Sequence, residues 1–149
     1  MRTIRHLLEA KREVYHIAPS MSIYEAARYM SERKVGAVCV VESNRLVGIL
    51  SERDIMTRVV AAGLDPKATR VAQVMSENPV VVSADESYEN CIRMMHTAKF
   101  RHLPIVEEGR LLGLMSLRDL LQVDISEKDD EIKMMRAYIH LAPPSMPEL

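Results

Sequence analysis

Cysteine is scarce in this sequence, tryptophan is missing, and neither sign of charge prevails. Cys39 and Cys91 are the two cysteines. Both fall in apolar stretches without the spacing or neighbours of a zinc site or redox pair, so they read as buried reduced thiols of a reducing compartment. Five Tyr and one Phe make up the aromatic content. That is thin material for the stacking platforms of single-strand nucleic-acid binders. Twenty Lys plus Arg face 21 Asp plus Glu, and a net charge of −1 supplies no field to draw nucleic acid or an anionic membrane.

Long hydrophobic runs are missing too. Val35–Val41 falls far short of the roughly 18 apolar residues that suggest a membrane span, and residues 1–15 alternate charge with apolar side chains instead of forming a signal-peptide core. The expectation is a cytoplasmic protein with no membrane partner and no nucleic-acid partner. His6, His16, His96, His102 and His140 sit in scattered contexts, and no HExxH, CxxC, Gly-x-Ser-x-Gly or Walker-type loop occurs. An enzyme is not expected.

What is present is a repeat. Displacing the chain by 65 residues lays 14–57 over 79–122 without a gap, and twelve of the 44 pairs are identical. Among them are Ser22/Ser87, Lys34/Lys99, Gly48/Gly113, Ser51/Ser116, Arg53/Arg118 and Asp54/Asp119. Self-similarity of this kind marks two copies of one structural unit.

In the first copy Val14–Ile17 is a short extended run closed by Pro19. Ser22 with Glu25 forms a capping box, and Ile23, Ala26, Ala27 and Met30 recur at helical spacing through about Arg33. Ala37–Val41 and Leu46–Leu50 read as a hairpin across Glu42–Arg45. A helix follows from Ser51 or Glu52 to about Ala62, stopped by Gly63. The second copy repeats the order, with Pro79–Val82, a helix from Ser87 to about Ala98, strands Leu103–Val106 and Leu111–Met115 across a turn at Gly109, and a helix from Ser116 to about Val123.

The expected fold is therefore mixed α/β (α+β), two β-α-β-β-α repeats packed in pseudo-twofold symmetry around a single shared core. Val71–Met75 corresponds in position to His6–Ala10, so each copy has a preceding arm or short helix. The expected units are 1–66, the first repeat with its N-terminal arm; 67–123, the second repeat; and 124–149, a C-terminal helical extension and tail. There, beyond an acidic stretch at 124–131, Ile132, Met135 and Ile139 form a helical stripe that can pack on the module or join a partner subunit, packing on the module being the expectation. The closing eight residues hold three prolines and are expected to lack regular structure.

The segments Gly48–Asp54 and Gly113–Asp119 lie where a strand exits and a helix begins. A serine hydroxyl, free backbone N–H groups and the positive end of the helix dipole converge there, an arrangement that favours a phosphate, with arginine to reinforce it. Asp54 and Asp119 can accept hydrogen bonds from paired ribose hydroxyls. The same residues also fit plain helix capping, serine at the N-cap and an acid at N3, and a repeated fold repeats its caps. Lys99-Phe100-Arg101-His102 is a basic stretch before the second hairpin. Its counterpart, Lys34-Val35-Gly36-Ala37, keeps only the lysine, so clefts between the repeats would be unequal in charge.

On Ala18-Pro19, Ser22 to Ala27, Ala37 to Val41, Gly48 to Asp54, Val74-Met75, Arg101 to Val106 and Gly113 to Asp119, the sequence resembles the cystathionine-beta-synthase (CBS) domain family. The resemblance covers roughly residues 5–123 and is to a stand-alone tandem pair, or Bateman module. It implies a regulatory module that binds an adenosine-containing ligand between the repeats: AMP, ADP, ATP, NAD(H) or S-adenosylmethionine, with AMP or NAD(H) favoured. It implies no catalytic cofactor and assigns no metal. The site residues it implies are Ser51 and Ser116 near ribose or phosphate and Asp54 and Asp119 on ribose hydroxyls. Arg53, Arg118, Arg101 and His102 are the implied phosphate neighbours, and Ile17 and Val82 enclose adenine. The Arg101/His102 cleft is the one expected to prefer a phosphorylated ligand. A homodimer is also implied, with Met56, Val59, Val60, Leu120 and Leu121 as contact candidates, together with an unknown effector protein. The alternative is a structural dimerisation module without a functional ligand.

Overall fold

The computed structural model describes residues 3–10 and 14–141; the proline-rich tail falls outside them. A short helix, α1 (Ile4–Ala10), opens the chain, and β1 (His16–Ile17) leads into α2 (Ile23–Arg33). Ser22 caps α2 as its spacing requires: its backbone is extended and its Oγ accepts the Glu25 N–H at 3.1 Å. Ile23, Ala26 and Met30 form the buried face, and Lys34, in the left-handed region at φ 56°, ends the helix.

The hairpin β2 (Ala37–Glu42) and β3 (Arg45–Ser51) turns through Ser43 and Asn44, both at positive φ. Such a two-residue turn matches the right-handed twist of the strands. β1 adds to β2 in parallel, and β4 (Ser76–Glu77), from beyond the inter-repeat connection, adds to β3 antiparallel. The sheet order is therefore β1-β2-β3-β4.

The second copy follows the same plan with α4 (Val71–Val74), α5 (Tyr88–Ala98), capped by Ser87, and the hairpin β5 (His102–Glu107) and β6 (Arg110–Ser116). Glu108 and Gly109 take the positive-φ turn positions. The counterpart of β1 shrinks to one parallel bridge, Val82 to Ile105. Both hairpins carry a register irregularity at the same place, Val40/Val41 and Ile105/Val106. The mixed α/β repeat pair is thus the observed architecture.

Two helices depart from expectation. Where one helix was expected from Ser51 to Ala62, α3 (Glu52–Ile55) passes into a five-residue π-helical turn, Met56–Val60. Gly63, at φ 75°, closes the segment. In the second copy a single helix, α6, runs from Leu117 to Leu141, where a break at the acidic stretch was expected. No proline or glycine interrupts those residues, and Glu and Lys are good helix formers, so nothing stops propagation. The stripe on α6 is not packed on the module either: Ile132, Met135 and Ile139 are exposed.

The single shared core is also corrected. There are two clusters, and each is completed by the arm of the other repeat. Ile17, Ile23, Met30, Val38, Val40 and Leu50 pack with Val71 and Val74 of α4. Tyr88, Met95, Leu103, Ile105 and Met115 pack with Ile4, flanked by Leu7 and Leu8, of α1. Arg5 fastens α1 to the second copy through Glu107 at 2.7 Å and Asp85 at 3.2 Å, and the two carboxylates raise the pKa of its guanidinium further. The arms cross, so neither repeat is complete without residues that flank its partner. β3 of the first copy also meets β6 of the second directly. Among the described residues no helix is long and apolar enough to cross a membrane.

Candidate functional site

The two strand-to-helix junctions are built alike. Ser51 Oγ accepts the Asp54 N–H at 3.1 Å, and Asp54 Oδ2 accepts the Ser51 N–H at 2.9 Å. Ser116 and Asp119 exchange the same two bonds, both at 3.0 Å. The first helical amides are engaged as well: Glu52 N–H donates to the Gly36 carbonyl at 2.9 Å and Leu117 N–H to the Arg101 carbonyl at 2.8 Å. Both junctions are therefore full capping boxes. The expected set of free amides is corrected, since three of the N–H groups at each helix start already have partners. What polar capacity the junctions have left for a ligand lies mainly in side chains.

A cleft of about 1170 Å³ lies between the repeats. Arg101, His102, Ser116, Arg118 and Asp119 line it from the second copy, and Lys34 through Ala37 together with Glu52 line it from the first. Leu8 of α1 and Tyr15, at the start of the first copy, contribute as well. Lys34, Arg101 and Arg118 bring positive charge and Glu52 and Asp119 negative charge, while Leu112, Leu114 and Leu117 supply an apolar wall. Such a surface accommodates a ligand with an anionic end and a flat, weakly polar end. Tyr15 is braced from behind: its ring meets Tyr29 edge-on at 6.4 Å, and the Arg33 guanidinium lies 5.7 Å from its centroid.

Five of the expected site residues thus meet at one cleft. The other five do not line it. Ser51 and Asp54 hold their own cap, and Asp54 Oδ1 lies 3.8 Å from Arg58 Nε. Arg58 Nη1 in turn donates to the Val74 carbonyl at 2.9 Å, tying this helix to the arm of the second repeat. Arg53 is exposed. Ile17 and Val82 are buried in their respective cores. Of the contact candidates, Val59 and Leu120 are buried inside their own repeats, whereas Met56, Val60 and Leu121 are exposed.

Tyr15, Glu52 and Leu8 were not singled out from the sequence. Glu52 had a signal, because its counterpart in the otherwise matched junction is Leu117. Among the described residues no group of three or more His, Cys, Asp or Glu is placed to hold a metal ion.

Two β-α-β-β-α repeats with crossed arms and a cleft between them define a tandem-repeat module. The CBS domain family matches residues 4–61 and 71–126, and the chain belongs to that family as a tandem pair, a Bateman module. It is 39% identical over 108 residues to the CBS domain-containing protein YhcV of Bacillus subtilis, covering 72% of this chain and 76% of that protein. Identity to CBS domain-containing protein CBSCBSPB2 of Arabidopsis thaliana is 36% over 129 residues, 86% of this chain. The chain spans about a quarter of the length of that protein and of its Arabidopsis relatives CBSCBSPB5 and CBSCBSPB4.

Among solved structures, the CBS-domain containing protein ATU1752 from Agrobacterium tumefaciens matches with a TM-score of 0.77 at 31% identity, over 83% of this chain and 99% of that one. CBSX2, solved in complex with AMP, shares the fold with a TM-score of 0.72 at 24% identity, over 86% of this chain and 99% of that one. The fold is that of the non-catalytic CBS pair.

Proposed function

We propose that this chain is a regulatory module that binds an adenosine-containing nucleotide, AMP or NAD(H) in preference, in the cleft between its repeats. The observation that carries this reading is the meeting of Lys34 of one repeat with Arg101, His102, Arg118, Ser116 and Asp119 of the other around one cleft. Phosphate fits the cationic side, Asp119 is the ribose acceptor, and the apolar wall with Tyr15 takes the base. The fold's occurrence in CBSX2 with AMP supports the choice of ligand. A ligand held by both repeats favours whichever relative arrangement binds it more tightly, and that difference in affinity is what a partner can read. The module acts in the cytoplasm as a homodimer on an effector protein.

Calorimetry with AMP and NADH tests the reading, with thermal stabilisation as a second readout. Binding by the wild type and a loss of about tenfold or more in Arg101→Ala support it; no heat and no stabilisation by either nucleotide refutes it. The closed capping boxes favour a second reading, a structural dimerisation module whose junction residues serve only folding. That reading predicts the refuting result.

A further inference from the structure

Helix α6 extends well past the second repeat and carries an apolar stripe that the module leaves uncovered. Ile132, Met135 and Ile139 are 47%, 65% and 67% exposed. Their spacing of three and four puts them on one narrow face, the seam of a helix pair rather than the broader face of a helix packed on a globular core. Charge along the helix is segregated about the middle of that stripe. Residues 124–131 hold five acids and one lysine, whereas 132–141 hold Lys133, Arg136 and His140 and no acid.

A parallel copy would set acid beside acid and base beside base along the whole seam. An antiparallel copy sets each acidic half beside a basic half. We propose that α6 pairs antiparallel with α6 of a second copy of this chain, about a twofold axis near Lys133. Ile132 then meets the partner's Met135, and Asp129 lies beside the partner's Arg136. Twofold symmetry makes each of these contacts twice. Lys128 falls opposite the partner's Ile139, where its aliphatic stem covers the apolar side chain. The pairing uses none of the cleft residues, so it stands or falls independently of nucleotide binding.

Sedimentation equilibrium of the full chain at micromolar concentration tests it, with circular dichroism to confirm that each variant is folded. A wild-type dimer whose association constant falls about tenfold or more in Ile132→Asp and in Asp129→Arg, and recovers in Asp129→Arg/Arg136→Asp, supports the proposal. A wild-type monomer overturns it. So does a dimer that Ile132→Asp leaves intact, which another face would then hold. Direction has its own readout: mixing Asp129→Cys with Arg136→Cys protein under oxidising conditions gives the mixed disulfide in an antiparallel pair. Its failure to form, or tighter association of Asp129→Arg, overturns the antiparallel arrangement.

Discussion

Leu8 lies across β6 so closely that a β-carbon on Gly113 would stand 2.7 Å from its Cδ2. The matching residue, Gly48 on β3, is enclosed by the other arm: a β-carbon there would meet Met75 Sδ at 2.7 Å and the Ser76 carbonyl oxygen at 2.8 Å. The two contacts differ in what can give way. A leucine methyl swings aside by a rotamer change, whereas the Ser76 carbonyl belongs to a backbone paired with Ile49. Gly48→Ala should therefore cost about 1–3 kcal/mol through overpacking, and Gly113→Ala clearly less. Urea unfolding of the two variants checks the order, and equal midpoint shifts would contradict it.

The crossed arms make a prediction about where damage appears. Ile4 precedes the first repeat in the chain but is fully buried in the core of the second. Ile4→Ala should cost about 2–4 kcal/mol. Hydrogen exchange should rise first through 82–120 rather than 17–59. Val71→Ala, a smaller deletion on the other arm, should loosen the first repeat instead. Exchange that rises in the repeat adjacent in sequence would contradict the crossing.

Much of each repeat is legible locally. Ser22 and Ser87 announce their helices because capping is decided within four residues. The hairpins follow from β-branched runs around two-residue turns. The crossing is not legible, since His6–Ala10 and Val71–Met75 are apolar arms whose sequences do not say which hairpin they cover. The continuity of α6 is hidden for a different reason: its acidic run looks like a linker although it contains only helix-compatible residues. At the site, Ser116, Arg118 and Asp119 are readable from the repeat, and Arg101 and His102 from the basic stretch at which the second copy departs from the first. Their neighbours Lys34 and Glu52 reach the cleft through the pseudo-twofold relation, which the alignment of the copies contains but no single segment does. Ser51 and Asp54 share the motif of Ser116 and Asp119 but do not line this cleft.

Alkaline pH should expose the buried thiols. Burial pushes both Cys39 and Cys91 from an ordinary value of 9.0 up to about 12, Glu86 adding to the shift at Cys91. A raised folded pKa means the native state keeps protons that the unfolded chain releases. This contribution to stability is complete below about pH 9 and is lost as pH climbs towards 12, by up to about 1.4 kcal/mol per pH unit for each thiol. Urea midpoints of wild type and Cys39→Ala/Cys91→Ala at pH 8 and pH 10 check it. The wild type should lose more stability between the two pH values than the variant, and parallel losses would contradict the prediction.

Asp54 and Asp119 separate folding from binding, because they occupy identical caps but different surroundings. Each accepts its serine's N–H and closes the same capping box. Asp54→Ala and Asp119→Ala should then destabilise the protein comparably, by about 1 kcal/mol each. Only Asp119 lines the cleft. AMP affinity should fall about tenfold or more in Asp119→Ala and stay near the wild-type value in Asp54→Ala. Calorimetry on both variants, at a temperature where each is fully folded, makes the comparison. Equal losses of affinity would place a second nucleotide at the Asp54 junction. Unchanged affinity in both, with the stability losses still present, would leave these carboxylates as helix caps and move recognition to Arg101, Arg118 and Lys34.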